Sequence, residues 1–312
     1  MDQVSDSVRA RPVTAVIVTY QSARTIGRTL AAARRGYDDL LLDTIIVDND
    51  STDGTRGIIA REANWLRVIL ADKNNGFGRG CNIGFAHVTS PYAILINPDA
   101  VVESAAIRTM LQFMEREPRA GIVAPATLCG EDDGDTLLQH TTSCPTPWTI
   151  VRNAIPFLRR RSTFVPIVPG AAPIRTGWVS GAVLMIRTEL VRRLDGFDPR
   201  FFLYWEETDL CKRVQDAGFQ IWAIGTALAR HVVGGSSQPE KQFLPIAKHF
   251  FQSRYYYMAK HHGWLAASAA EVSAFAIEAV ESFVDGVRGR GLHRLRRRLQ
   301  APLLSMPQTD AG

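Results

Sequence analysis

Three groups of acids and amides and one histidine have types and spacings that can do chemistry. Asp48, Asn49 and Asp50 open DNDSTDG, Asn97 and Asp99 sit in NPDA, Glu206, Glu207 and Asp209 fall together in EETD, and His231 begins HVVGG. A carboxylate can accept from a nucleobase imide, and a carboxylate beside a diphosphate can hold a divalent cation whose other positions stay open to phosphate oxygens. Like charges crowded in a cleft push one pKa toward that of a general base. Plainer readings stand beside each of these. Asn, Asp and Pro are common turn residues, acids at a helix start favour its dipole, and a lone histidine before glycines is ordinarily structural.

Other chemistries are excluded by what these segments lack. There is no GxxxxGK[ST], so a P-loop is ruled out. NGFGRGCNIGF carries Gly76, Gly78, Gly80 and Gly84, a spacing that is not GxGxxG and that follows the third predicted strand rather than the first. Counted from Asp48 as an EF-hand loop, position six is Asp53 instead of Gly and position twelve is Ile59 instead of Glu.

The elements that must position these groups are legible in the periodicity. Short β-branched runs at residues 14–19, 43–48, 66–71 and 92–97 alternate with helical patterns at 22–35, 54–63 and 79–87, the signature of βαβ units and a largely parallel sheet. Ser22 is the expected N-cap of the first helix. The chemistry-bearing groups follow strands two and four, at the carboxyl ends where open α/β sheets collect ligands. Ile107, Met110, Leu111 and Met114 recur at helical spacing and should pack on the sheet. Residues 129–176, with acids at 131–135, Arg159 to Arg161 and six prolines, read as a long irregular loop. A strand is expected over 178–186, a helix near 188–194 and another after FFLYWEETD; two helical patterns follow Gln242. The expected division is a catalytic-type domain over 1–240 and a helical extension over 241–312.

Composition bounds the rest. With 312 residues, 46% hydrophobic and 21% charged, the chain can bury a continuous core, and disordered or collagen-like classes are excluded. The net charge of +5 resides in six arginines between Arg288 and Arg298, without which the chain carries 30 basic against 31 acidic side chains. Nucleic acid is therefore not the expected partner. Cys81, Cys129, Cys144 and Cys211 form no CxxC pair, the pattern of a reducing, cytosolic compartment. The first twelve residues lack the apolar stretch of a signal peptide, and the segment from Trp264 is interrupted by Glu271, Glu278 and Glu281, short of a membrane span.

The ordered series IVTYQS, IIVDNDSTDGT, NNGFGRGCNIGF, LINPDA, WVSGAVLMIR, GFDPRFFLYWEETDLCKR and RHVVGGSS resembles the inverting family 2 glycosyltransferases, notably the bacterial rhamnosyltransferase-like branch. The likeness runs from Thr14 to Ser237. It implies a GT-A fold, α/β and Rossmann-like with a mostly parallel central sheet, acting in polysaccharide biosynthesis. It further implies that Thr19, Tyr20, Asp48 and Asn49 cradle the nucleotide and that Gly76, Phe77 and Asn82 lie under the nucleotide sugar. The family's metal-binding acid corresponds to Asp99, with Asn97 at the motif's first position and His231 as a further ligand for Mn2+ or Mg2+. Its catalytic base corresponds to Glu207, preceded by Glu206, where the family carries Asp.

The resemblance implies transfer from a nucleotide diphosphate sugar, TDP-rhamnose-like or UDP-hexose, to a glycan or lipid-linked acceptor. Trp178, Ser180 and Gly181 are candidates for the acceptor side, and a core role for the tryptophan is equally open. A nucleotidyltransferase would need a basic Gly-rich N-terminal loop, which IVTYQSART is not; a non-catalytic scaffold would not need Asp99, Glu207 and His231. Three roles are open to the C-terminal helices: core packing, a homodimer contact, or peripheral docking on the inner face of the membrane through Arg288 to Arg298.

Overall fold

The structure, a computed structural model, describes residues 12–40, 42–129, 136–137, 139–141, 143–159, 164–231, 243–287, 298–299 and 302–307. Its elements begin β1 (Val13–Thr19), α1 (Ile26–Leu40), β2 (Asp43–Asp48), α2 (Thr55–Arg61), β3 (Arg67–Leu70), α3 (Phe77–Phe85) and β4 (Tyr92–Ile96). Next come β5 (Ala100–Val102), α4 (Ser104–Arg116), β6 (Ala120–Cys129), β7 (Thr136–Leu137), β8 (Gln139–Thr141), α5 (Pro147–Ala154), α6 (Pro156–Arg159), β9 (Phe164–Pro166) and β10 (Ile174–Thr176). The chain then forms β11 (Val183–Arg187), α7 (Thr188–Arg193), α8 (Glu206–Asp216), β12 (Gln220–His231), α9 (Phe243–His262) and α10 (Trp264–Val287).

The central sheet runs β10-β12-β6-β11-β4-β1-β2-β3. Parallel pairing holds from β4 through β1 and β2 to β3, as expected, while β11 enters antiparallel between β4 and β6. Val183, the first residue of β11, pairs with Ile96, the last of β4. The excursion between β6 and β11 therefore leaves and rejoins the sheet at the carboxyl ends of the parallel strands.

The strands are continuous apolar runs because both faces are covered. Along β1, Ala15 and Ile17 pack toward α1 and α4 with Ile26, Leu30, Ile107, Met110 and Met114. Val16 and Val18 point the other way, into Cys81, Phe85, Leu190, Leu210 and Val214 of α3, α7 and α8. α3 lies so close to the sheet that a Cβ at Gly84 would collide with Val16, and one at Gly80 would come within 2.6 Å of Val18.

Four local expectations are corrected. α1 starts at Ile26 because a turn intervenes: the Thr25 and Ile26 N–H groups both donate to the Ser22 carbonyl, and the Ser22 hydroxyl donates to the Tyr20 carbonyl instead of capping. α3 starts earlier, at Phe77, behind the left-handed Gly76. Trp178 to Ala182 are not strand; β11 begins at Val183. The stretch 129–176 is not wholly irregular, since α5 forms with Pro147 in its first turn and a Thr146/Thr149 capping box. Residues 131–135 and 160–163 lie outside the described residues.

A third core joins α5 to the C-terminal helices, with Ile150, Ala154 and Phe201 packed among Tyr255, Tyr257, Met258, Ala267 and Ala270. Among the described residues no helix is long and apolar enough to cross a membrane, and the four cysteines are free thiols.

Candidate active site

β1 and β2 end side by side, with Thr19 and Asp48 as register partners. Asp48 is fully buried; its Oδ2 accepts from Ser51 N at 3.0 Å and from Arg56 Nε at 2.6 Å. Its Oδ1 and the Thr19 hydroxyl are buried without partners, an arrangement that costs stability unless a ligand completes it. Tyr20 lies exposed at the rim. Asn49 is differently employed: its Nδ2 donates to the Gly76 carbonyl at 2.8 Å and its Oδ1 accepts from Asn75 N at 3.3 Å. It latches the end of β2 to the glycine-rich turn.

That turn needs glycine at position 76, where φ is +80° and a Cβ would run into the Phe202 carbonyl. The same carbonyl accepts from Phe77 N at 3.0 Å. Asn82 bonds both ways with Phe197, donating to its carbonyl and accepting from its N–H, each at 2.8 Å. The amides of Asn49 and Asn82 are thus committed to backbone, whereas Thr19 and Asp48 retain free polar atoms.

The NPDA turn follows β4. Asn97 N donates to the Ala182 carbonyl at 2.9 Å, and Asn97 Oδ1 is buried without a partner. β5 then pairs with β12 so that His231 faces Ala100. This brings His231 Nε2 to 3.0 Å from Asp99 Oδ1 across 132 residues of sequence. Burial alone would lower the imidazole pKa, but the Asp99 carboxylate and Cys129 outweigh it and raise His231 to about 9. Among the described residues no group of three or more His, Cys, Asp or Glu side chains could hold a metal ion. Asp99 offers one oxygen and His231, once its imidazole gives up the proton that the carboxylate favours, one nitrogen, a set that fits a cation expecting its remaining ligands from phosphate and water.

Glu206 and Glu207 open α8 behind two left-handed aromatic residues, Tyr204 (φ +67°) and Trp205 (φ +70°). Bulky residues hold that conformation only when packing over-determines it. Here Tyr204 packs on Phe250, Trp205 packs on Phe250 and Tyr257, and the Leu203 carbonyl accepts from Ser253 Oγ at 3.0 Å, all supplied by α9. Glu206 is buried with Oε2 unpartnered; burial, then the Glu207 charge, hold it well above the usual carboxylate range. Burial also raises Glu207, to about 7, against the lowering effect of its own N–H and that of Gly181. A Cβ on Gly181 would sit 3.7 Å from Glu207 Cβ, and Gly181 adjoins the Ala182 that bonds Asn97. The base candidate and the NPDA turn are therefore neighbours through two residues.

Glu207 lines a cavity of about 330 Å³ with Trp178, Tyr204, Trp205, Phe250, Arg254 and Glu278 on its walls. Ser180 Oγ accepts from Ala182 N at 3.2 Å. Asp209, expected beside the other two acids, is turned away from the cavity. It is fully buried and paired with Arg213 at 2.7 Å, Lys260 at 2.6 Å and His261 at 2.8 Å. Burial would raise it, but His261, Arg213 and Lys260 bring it below the usual range. Sequence singles out none of Tyr204, Trp205, Phe250 and Arg254: the first two lie inside the quoted block GFDPRFFLYWEETDLCKR, and the other two in the aromatic and basic run HFFQSRYYYMAKHH at residues 249–262.

Comparison with known proteins bears on the family and the fold. The profile of glycosyl transferase family 2 matches residues 14–180. An N-acetylglucosaminyl-diphospho-decaprenol L-rhamnosyltransferase of Mycobacterium tuberculosis (strain CDC 1551 / Oshkosh) is 26% identical over 277 residues, covering 80% of this chain and 85% of the relative. Among solved structures, the mannosyltransferase PcManGT from Pyrobaculum calidifontis, in complex with GDP-Man and Mn2+, superposes with TM-score 0.53 at 15% identity, over 94% of this chain and 86% of that one. GalNAc-T7 with UDP, GalNAc and Mn2+ gives TM-score 0.55 at 14% identity over 70% of this chain, which spans 43% of the GalNAc-T7 chain. The α/β architecture, the ordered motifs and these matches lead to one conclusion: this chain belongs to glycosyl transferase family 2, a rhamnosyltransferase-like glycosyltransferase of GT-A fold.

Proposed function

We propose that the chain transfers a sugar, with inversion, from a pyrimidine nucleotide diphosphate sugar to a hydroxyl of a glycan or lipid-linked acceptor. The observation that carries this reading is Glu207: a carboxyl raised to about 7 that lines an aromatic cavity and adjoins the NPDA turn through Gly181 and Ala182. Asp48 Oδ1 and the Thr19 hydroxyl, buried and unpartnered, suit the imide edge that thymine and uracil share, so TDP-rhamnose-like and UDP-hexose donors both fit. Asp99 and His231 would hold Mn2+ or Mg2+. When bound, the cation supplies charge neutralisation for the departing diphosphate.

Acceptor sugar faces stack on Trp178 and Trp205, and the reacting hydroxyl lies against Glu207. The hydroxyl oxygen attacks the anomeric carbon as the bond to the diphosphate oxygen breaks; its proton passes to Glu207, and the nucleoside diphosphate leaves. One attack without a covalent intermediate inverts the anomeric centre. The name of the mycobacterial relative describes a decaprenol-linked acceptor, which favours an acceptor of that chemical class here. Free thiols at all four cysteines suit a reducing, cytoplasmic-face location.

Thermal unfolding with TDP, UDP, GDP and ADP, each with and without Mn2+, tests the reading. A ligand confined to the native state adds about 2.7 kcal/mol at a hundredfold excess over Kd. The expected result is a Mn2+-dependent rise with TDP or UDP that shrinks in Asp99→Ala. Folded protein that responds to none of the four overturns it.

A further inference from the structure

Where Glu207 points depends on how the chain enters α8. The body of that helix is fixed by Leu210 and Val214 in the second core and by the pairs of Asp209 with Arg213, Lys260 and His261. Its first turn, however, follows directly on the left-handed Tyr204 and Trp205. Two successive L-residues in that conformation are disfavoured by a factor of about 30 to 700, so contacts from outside the segment must hold them.

α9 meets this segment residue by residue. Tyr256 Oη donates to Asp198 at 2.8 Å while its ring packs on Phe201, and His249 stacks on Phe202. Ser253 Oγ donates to the Leu203 carbonyl at 3.0 Å, Phe250 packs on Tyr204 and Trp205, and Tyr257 packs on Trp205 with ring centroids 5.2 Å apart. Phe250, Ser253 and Tyr257 fall at i, i+3 and i+7, one stripe of the helix. Phe250 also lines the cavity that holds Glu207; Ser253 and Tyr257 are fully buried and are not among its walls. α9 is fixed from behind in turn, because Arg254 makes a bidentate pair with the buried Glu271 of α10 at 2.7 and 2.6 Å, and Arg298 joins the same carboxylate at 2.9 Å. Arg298, expected as part of a free basic tail, is thus a buried structural cation, and residues 288–297 lie outside the described residues.

We infer that Ser253 and Tyr257 are positioning residues for Glu207: they hold Tyr204 and Trp205 left-handed, and that pair delivers the first turn of α8, with Glu207 on it, to the cavity. Without them the pair relaxes to right-handed backbone and the Glu207 carboxyl turns out to water. Its consequence for catalysis rests on Glu207 being the base, as proposed above; the positioning itself is read without substrate. Two helices that lie beyond the residues matched by the family profile, 14–180, would then be needed for transfer.

A cycle of thermal melts tests it. Glu207→Gln is expected to raise Tm at pH 8 by roughly 5 °C in the otherwise unaltered chain, because a carboxyl held at about 7 by burial is ionised there. In the background Ser253→Ala with Tyr257→Leu that gain shrinks about threefold or more, since a carboxyl facing water ionises freely. Tyr257→Phe keeps the ring and is expected to keep the gain. Glu206, Cys81 of α3, Cys211 of α8, Arg254 of α9 and Glu278 of α10, the titratable groups around Glu207, stay in place throughout. Cooperative melts at pH 5 confirm that each protein is folded, and Ser253→Ala alone, with a partial loss of the gain, decides the matter where the double variant is not. Release of UDP or TDP from a nucleotide sugar is the second readout: the double variant is expected to lose about tenfold or more in kcat at unchanged donor KM. An equal gain in both backgrounds, no gain in the unaltered chain, or a gain lost equally in Tyr257→Phe overturns the inference. So does a double variant with kcat within twofold of the unaltered enzyme when Glu207→Gln abolishes turnover. Turnover that survives Glu207→Gln overturns the base reading alone, and the melts still decide the positioning.

Discussion

Replacing Glu207 with Gln removes one proton acceptor from the cavity while keeping its size. The carboxyl is held at about 7 in the fold against 4.5 in free solution. At about 1.4 kcal/mol for each tenfold change, ionised Glu207 costs the native state about 3 kcal/mol. The folded value lies above the unfolded one, so the stability conferred by the neutral acid is complete below pH 4.5 and is lost as pH rises through 7. Gln never ionises and keeps that stability. Glu207→Gln should therefore melt with the unaltered protein near pH 5 and gain up to about 3 kcal/mol at pH 8, roughly 5 °C in a chain of this size. Transfer should fall about 10²- to 10⁴-fold, with the nucleotide-dependent rise in Tm retained. The unaltered enzyme should show kcat/KM climbing with pH through about 7. Paired melts at the two pH values and a donor-turnover assay decide the matter: turnover within threefold of the unaltered enzyme would remove Glu207 from the chemistry.

Three further outcomes follow from the same geometry. Thr19→Val deletes a buried hydroxyl that has no protein partner, so urea unfolding should show equal stability or a gain of about 1 kcal/mol, while calorimetry shows weaker nucleotide binding; a clear loss of stability would mean the hydroxyl is already satisfied. Gly76→Ala meets both a +80° φ and the Phe202 carbonyl and should lose about 2 kcal/mol or more, read as a lower urea midpoint at unchanged slope. Lys260→Met removes the cation bridging Asp198 and Asp209 at 2.8 and 2.6 Å. Arg200, Arg213 and His261 remain, so the expected loss is about 2 kcal/mol rather than the full cost of a bared buried charge; an unchanged midpoint would show that α9 is not held through this contact.

Much of the architecture is legible because short β-branched runs bounded by turn residues read as strands covered on both faces. β1, β2 and β4 sit where the periodicity puts them, with Asp48 and Asp99 at the carboxyl ends of β2 and β4. Misreadings arise where two local signals compete. In residues 129–176 the prolines suggested irregularity, although Pro147 in a first helical turn behind Thr146 is a helix start. At Ser22 an intervening turn consumes the expected cap. In α10 Glu271, Glu278, Glu281 and Asp285 read as one polar stripe of a helix, and nothing local says that Glu271 is buried.

By itself the sequence determined the strand runs, the chemistry available at their carboxyl ends and the family to which their order belongs, since all three depend on residue type and spacing along one chain. Only the tertiary structure decided which of these groups meet. Asp99 reaches His231 through antiparallel pairing of β5 and β12, 132 residues apart. Asp209 is drawn from Glu206 and Glu207 to the cations of α9, because successive residues on one helix point in different directions and each takes the charge that packing sets before it. Burial did the rest: it raised the Glu207 carboxyl to about 7 and left Asp48 and Thr19 with buried polar atoms that meet no partner among the described residues.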